Sequence, residues 1–224
     1  MRLCSLSLLA ATLWSAGCAT VGNFQRAETL GKGGWEVGIE SSAYTLSNPD
    51  GSLVVPMLAV SVRAGATPRL DLGGRIGSGG AEIQGKVQLT KPRGEGPVIV
   101  SLAPSVGGSG FGFAGNSVGI VYEQLPVLIG VPLGDHELTF SPKVWVGSAF
   151  TGGEELSGTA TRLSPGGGVG FAWRATRKLT LVPEVSVLAP GKVFGSQSVA
   201  EEVDIMDNKL IYQGGLGFLL GRKR

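Results

Sequence analysis

Apolar side chains recur at every second position through most of the chain after residue 20, and this alternation restricts the possible folds more than any other feature. Residues 82–89 place Ile83, Val87 and Leu89 on one face and four polar side chains on the other, and residues 178–187 repeat the pattern. A period of two residues is that of a β-strand. No stretch after residue 20 sustains the 3.6-residue period of an amphipathic helix, so we predict an all-β fold.

The connections between the alternating stretches form two sets that alternate along the chain. The short set occupies residues 66–68, 91–96, 133–136 and 175–177. The Gly-, Ser- and Asn-rich set, whose members are mostly longer, occupies residues 47–52, 77–80, 107–115, 151–157 and 190–207. Short periplasmic turns and longer outer loops are typical of membrane barrels. We therefore predict that residues 33–224 form an antiparallel up-and-down transmembrane β-barrel of about ten strands, which begins and ends on the periplasmic side.

Alternation alone does not say whether the apolar face points to lipid or into a core. A soluble, lipid-anchored, lipocalin-like binding barrel has the same period and stays an alternative. The second face is mostly Gly, Ser, Ala and Gln with scattered charges, and charged residues make up only 16% of the chain. This composition suits a crowded lumen better than a hydrated exterior. The candidate lumen charges are Glu36, Glu40, Arg63, Asp71, Arg75, Glu82, Lys86, Lys143 and Glu184.

Four aromatic residues fall on the apolar face near strand ends assigned to the periplasmic side. They are Trp35, Phe171, Trp173 and Phe218. Aromatic girdles of this kind mark the membrane–water interface of barrels. We interpret the four as candidate interfacial aromatics, and simple core packing is the alternative.

The first 17 residues have the form of a signal peptide, with one early positive charge and an apolar run that ends at Trp14. Ser15-Ala16-Gly17-Cys18 resembles the bacterial lipobox, although that family usually has Leu where Ser15 stands. The resemblance implies cleavage before Cys18 and a covalent lipid, including palmitate, on that residue. The alternative is an ordinary secretory signal followed by a free thiol.

The same resemblance implies a Gram-negative outer-membrane lipoprotein, because the residue after the lipidated Cys is Ala19 and not Asp. Residues 18–32 would then be a lipidated N-terminus and a linker, on the periplasmic side. Thr29-Leu30-Gly31-Lys32-Gly33 resembles the lead-in to the first strand of some bacterial outer-membrane barrel lipoproteins. No activity is known for that family.

Composition and motifs argue against most catalytic and cofactor chemistry. A net charge of +2 does not favour nucleic acid as a partner, and two Cys and one His are too few for a Cys/His metal site. His136 follows Asp135 in a short connection, which favours a turn role over a catalytic dyad. The G-x-G-x-x-G match at residues 110–115 precedes a predicted strand, whereas a dinucleotide site needs a helix there. We predict no catalytic residue, cofactor site or metal site, and no enzyme.

The function predicted from these features is a non-enzymatic scaffold, surface-binding or envelope-assembly role. Its partners would be outer-membrane lipid and other envelope proteins bound through the outer loops. An eight-stranded barrel has an interior that side chains just fill, and ten strands add little room. A narrow pore or small-solute transporter is therefore the alternative function.

Overall fold

A computed structural model describes residues 21–48, 51–92, 96–113, 116–152, 158–189, 191–195 and 210–222 of the chain. The secondary-structure elements of the described residues are strands, and each ladder between them is antiparallel. Within these ranges no helix is long and apolar enough to cross a membrane. The strand segments are β1 (Trp35–Asn48), β2 (Gly51–Thr67), β3 (Leu70–Gly77), β4 (Gly80–Gln88), β5 (Ile99–Leu102), β6 (Ser105–Phe113), β7 (Asn116–Leu133), β8 (His136–Phe140), β9 (Lys143–Gly152), β10 (Gly158–Arg174), β11 (Leu179–Leu188), β12 (Lys192–Gly195) and β13 (Ile211–Arg222).

Three pairs of consecutive segments each form one barrel strand, so the thirteen segments make ten barrel strands. β4 pairs with β5 and β6 in one continuous register, and β7 does the same with β8 and β9. The gaps fall at Pro104 and Pro142, since a proline has no N–H to donate to the ladder. Between β11 and β12 the pairing with β10 shifts by one residue.

The sheet closes on itself because the first strand pairs with the last. β1 pairs with β13 from Trp35 opposite Arg222 to Thr45 opposite Tyr212. Each barrel strand therefore has a partner on both sides, and the antiparallel up-and-down barrel predicted from the sequence is confirmed. The end where β1 begins also carries the connections β2–β3, β4–β5, β7–β8 and β10–β11, and we call it the short-turn end.

Large apolar side chains cover the outside of the barrel and polar side chains fill its lumen. Trp35 is 51% exposed, Ile83 68% and Val185 62%, whereas Arg75 and Glu184 on the opposite face are buried. This distribution is the reverse of a lipocalin-like barrel, whose interior is the apolar side. The buried polar residues of the strands include Glu40, Ser61, Arg63, Asp71, Arg75, Glu82, Lys86, Gln88, Ser101, Gln124, Glu137, Lys143, Arg162, Glu184, Ser186 and Gln213.

Residues 21–30, which precede β1, occupy the lumen of the barrel. Residues 18–32 are predicted to be a lipidated N-terminus and linker, and residues 18–20 lie outside the described residues. Within the described part, Val21, Phe24 and Ala27 are buried and their main-chain N–H groups donate to side chains of β13, β11 and β8. We call residues 21–30 the lumen segment. Once these residues are buried, their main-chain polar groups need hydrogen-bond partners, and the polar lumen side chains provide them.

Two glycines reverse the chain between the lumen segment and β1 at the short-turn end. Gly31 and Gly33 have φ values of 76° and 77°, in the left-handed region that glycine adopts without strain. Gly33 donates to the Gly65 carbonyl, and Gly65 donates to the Gly34 carbonyl. A Cβ at Gly65 would lie 1.9 Å from the Gly31 oxygen, so this close approach requires glycine.

Candidate functional site: the occupied lumen

Residues 21–24, the half of the lumen segment far from the short-turn end, are held by side-chain oxygens that accept hydrogen bonds from their main-chain N–H groups. Gln213 Oε1 accepts from the N–H groups of Val21 and Gly22, at 2.7 and 2.8 Å. The two carboxylate oxygens of Glu184 accept from Asn23 and Phe24, at 2.8 and 2.7 Å. Four successive main-chain donors are thus satisfied by two lumen side chains.

Residues 27–30, the half of the lumen segment near the short-turn end, are held in the same way by other side-chain oxygens. The Ala27 N–H donates to Glu137, and the Thr29 N–H donates to Gln88 at 3.0 Å. The Leu30 N–H lies 3.1 Å from both oxygens of Asp71. Hydrogen bonds to charged groups are the stronger kind, so these contacts anchor the segment at both ends.

The carbonyl oxygens of the segment face cationic and hydroxyl donors of the lumen. Arg75 donates to Gly22 at 3.1 Å, Arg63 donates to Phe24 at 3.0 Å, and Lys143 donates to Val21. Lys86 donates to the carbonyls of residues 26 and 28, and Ser101 donates to that of residue 27. The lumen side chains therefore supply donors for the main-chain carbonyls of the segment as well as acceptors for its N–H groups.

The lumen charges also pair with one another. Arg75 lies between two carboxylates, 3.0 Å from Glu40 Oε2 and 2.6 Å from Glu82 Oε2. Tyr122 donates to the same Glu82 oxygen at 3.0 Å, and Ser61 donates to Glu40 at 2.7 Å. Buried charges are tolerated only when paired and hydrogen-bonded, as they are here.

Further pairs continue this network toward the short-turn end. Lys86 Nζ lies 3.1 Å from Asp71, and Arg63 Nε lies 3.3 Å from Glu36. Arg26, from the lumen segment itself, places its Nε 3.7 Å from Glu137. The segment is thus joined to the barrel by charge as well as by main-chain hydrogen bonds.

The aromatic ring of Phe24 occupies a niche that barrel glycines leave open. Phe24 is 1% exposed and has a φ of 43°, unusual for a residue other than glycine. A Cβ on Gly217 would lie 3.2 Å from Phe24 Cβ, and one on Gly215 would lie 2.8 Å from the ring. Larger residues at these positions would compete with the ring for space.

Apolar residues line the lumen around the far end of the segment. Val21 packs in a buried cluster with Ile120, Tyr122, Trp145 and Leu188. The Tyr122 and Trp145 rings are stacked, with centroids 6.4 Å apart. This end of the lumen therefore combines an apolar cluster with polar side chains, since Lys143 and Gln213 bond the main chain of Val21.

The nine candidate lumen charges all lie on the inner face. Eight are buried, and the Glu36 side chain is 11% exposed near the short-turn end. The structure adds Glu137 and Arg162, which the sequence analysis did not select, and the amides of Gln88 and Gln213. The alternation of Glu137 and Thr139 with apolar neighbours in β8 is a signal that could have identified Glu137.

The four candidate interfacial aromatics share the outer face near the short-turn end. Trp35, Trp173 and Phe218 are 40–51% exposed, and Phe171 is half-buried against the His136 ring. Their role at a membrane interface stays a prediction. Cys18 and the predicted signal peptide lie outside the described residues.

His136 has a structural environment. Its Nδ1 accepts from the Arg174 N–H at 3.1 Å, and Asp135 lies 3.5 Å from the Arg174 guanidinium instead of contacting the imidazole. In the ranges that the structure describes, no group of three His, Cys, Asp or Glu residues is placed to hold a metal ion.

A groove of about 800 Å³ opens on the outer face beside the Pro104 gap. Apolar side chains including Leu72, Ile83 and Leu125 line it, together with the carboxylate of Glu123. Glu123 lies on the outer face between Val121 and Leu125, a position that the sequence analysis did not single out. Gly85 also lines the groove, and a Cβ there would meet only Leu72 Cδ2, at 3.9 Å.

No family model matches the chain, and no curated protein matches it. Among solved structures, the translocator domain of autotransporter NalP from Neisseria meningitidis aligns with a TM-score of 0.47 and 11% identity, over 98% of this chain and 96% of that one. Neisserial surface protein A aligns with a TM-score of 0.43 and 10% identity, over 83% of this chain and 96% of that one. Ail of Yersinia pestis, in complex with the heparin analogue sucrose octasulfate, aligns with a TM-score of 0.41 and 11% identity, over 84% of this chain and 99% of that one. Because these TM-scores are below 0.5, the closed barrel rests on this chain's own strand pairing.

Proposed function

We propose that this chain is a non-enzymatic β-barrel lipoprotein of a Gram-negative outer membrane, with a scaffold or surface-binding role in the cell envelope. Its lumen is closed by its own N-terminal segment. The observation that carries the proposal is the lumen segment, whose main-chain groups are bonded by charged and amide side chains inside an apolar-coated barrel. Such a barrel offers its surfaces and loops for function, and its interior is already occupied.

The apolar exterior supports the membrane location. Exposed Leu, Ile, Val and aromatic side chains recur on the outer face of most barrel strands. A continuous apolar surface of this extent is unfavourable in water and favourable in acyl chains. The short turns would face the periplasm, as they do in outer-membrane barrels generally.

The lipid on Cys18 is supported by the lipobox resemblance of Ser15-Ala16-Gly17-Cys18. Labelled palmitate fed to cells should enter the wild-type protein and not a Cys18→Ser variant. In the same membranes, unboiled protein should migrate differently from boiled protein on a gel, as folded barrels do. Label retained by Cys18→Ser would exclude this lipidation site, and release of the unlipidated variant by alkaline carbonate would exclude the membrane barrel.

The occupied lumen disfavours the narrow-pore alternative. The purified wild-type protein should show no channel events in planar bilayers. A variant that lacks residues 21–30 should conduct, because water replaces the segment beside the freed lumen charges. Regular conductance by the wild-type protein would instead establish the pore, and the deletion variant confirms that the assay detects an open barrel of this size.

A further inference from the structure

The lumen segment runs along the barrel axis from one end to near the other. Leu30 bonds Asp71, the second residue of β3, and Thr29 bonds Gln88, the last residue of β4, so both lie at the short-turn end. Val21, at the other end of the segment, bonds Gln213. Gln213 lies nine residues along β13 from Arg222, which is at the short-turn end.

This direction limits where Cys18 can lie. Cys18 precedes Val21 by three residues, which span at most about 11 Å when fully extended. Nine residues of a strand tilted by about 45° cover roughly 21 Å along the barrel axis. Cys18 therefore cannot reach the short-turn end while the lumen segment is in place.

We infer that the acylated N-terminus is held at the end of the barrel opposite to the short-turn end, with its lipid in the outer leaflet at the cell surface. The inference rests on the lipidation of Cys18 and on the barrel orientation proposed above. It differs from the sequence expectation, which placed the lipid on the periplasmic side because β1 begins there. The lumen segment carries the chain back through the barrel between these two points.

The contacts of the segment also indicate the order of assembly. The lumen is filled by the segment, its ion pairs and the Val21 cluster, so a diacylglyceryl group cannot pass through the finished barrel. The barrel must therefore close around a segment that is already in place. The acylated end then serves as a second membrane attachment, on the leaflet opposite to the short turns.

The test is a surface capture of acylated protein from intact cells. A short hydrophilic epitope is inserted after Thr20 in the full chain, cells are fed labelled palmitate, and antibody is added before lysis. We expect intact cells to yield as much palmitate-labelled protein as cells with a permeabilised outer membrane. Capture only after permeabilisation would overturn the inference.

Two control insertions fix the orientation of the barrel in the same assay. An epitope between Gly134 and Asp135, in the β7–β8 turn, should be reached only after permeabilisation. An epitope between Ser78 and Gly79, in the β3–β4 connection, should be reached in intact cells. If these two results are reversed, the proposed orientation fails. If no palmitate is incorporated, the proposed lipidation fails. The inference itself fails when the barrel is labelled and correctly oriented but the epitope after Thr20 is reached only after permeabilisation, so the three outcomes can be told apart.

A cross-linked variant excludes the explanation that the inserted epitope itself displaced the segment. Phe24→Cys and Gly217→Cys together place two thiols close enough for a disulfide, since a Cβ at Gly217 lies 3.2 Å from Phe24 Cβ. In oxidised protein with this bond, the lumen segment is retained in the barrel. We expect the Thr20 epitope to remain surface-accessible in the cross-linked fraction. An inaccessible epitope in that fraction would contradict the inference directly.

Discussion

Arg75 illustrates how single residues of this lumen depend on one another. Its guanidinium contacts Glu40, Glu82 and the Gly22 carbonyl, so it joins three chain segments. Removing one member of a buried ion pair leaves its partners charged and unpaired, which costs far more than the pair itself contributes.

We predict that Arg75→Ala lowers the free energy of unfolding by about 3–5 kcal/mol, because two buried carboxylates lose their counter-ion. Urea unfolding of the refolded barrel in lipid vesicles measures this change. Arg174→Ala is the matched control, because Arg174 pairs with the largely exposed Asp135 and should cost about 0–1 kcal/mol.

Adding Glu40→Gln and Glu82→Gln to Arg75→Ala should recover part of the loss, since the uncompensated charges are then gone. Equal stability of Arg75→Ala and Arg174→Ala would show that the central ion pairs contribute nothing to the fold.

The pairing of Arg75 with Glu82 could be predicted from the sequence, whereas the other contacts of Arg75 could not. Alternation places both residues on the inner face, and a tight β3–β4 connection sets them opposite each other across the ladder. Glu40 approaches from a strand that is not adjacent to β3, and Gly22 from the lumen segment. Such contacts depend on the curvature of the sheet and on the path of the lumen segment, which no local pattern encodes.

At the scale of elements, the strands were predictable and the lumen segment was not. Period-two alternation and short connections located the strands. Residues 21–34 show no such period, and their order comes from contacts with residues distant in the chain, such as Gln213 and Glu184. The only local signals are the glycines at 31 and 33, which reverse the chain into β1.

We predict that Gly217→Leu displaces the lumen segment, because the new side chain occupies the space of Phe24. Hydrogen exchange followed by mass spectrometry should show faster exchange of the amides of residues 21–30 in this variant. Gly214→Leu, on the outer face of the same strand, is the control and should leave their exchange unchanged, since a Cβ there meets nothing within 4 Å. Unchanged exchange in Gly217→Leu would argue against the glycine niche.

At the scale of the whole molecule, the barrel has an apolar exterior and a polar, filled lumen. The inner charges pair with each other and with the segment, and the outer side chains require acyl chains around them. The composition of the second face was sufficient to predict this polarity, because Gly, Ser and Gln with scattered charges do not make a hydrated exterior. That the lumen holds the chain's own N-terminal segment follows only from the three-dimensional structure.

The three tryptophans after residue 17 test this arrangement most directly, because two are outside the barrel and one is inside. Trp35 and Trp173 are 51% and 49% exposed on the outer face, whereas Trp145 is 8% exposed in the lumen cluster. Single-tryptophan variants of the chain without residues 1–17, with Phe at the other two positions, are refolded into vesicles of brominated phosphatidylcholine. The lipid should strongly quench the fluorescence of Trp35 and Trp173 and leave that of Trp145 almost unchanged. Quenching of Trp145 with unquenched Trp35 and Trp173 would contradict an apolar exterior in contact with lipid.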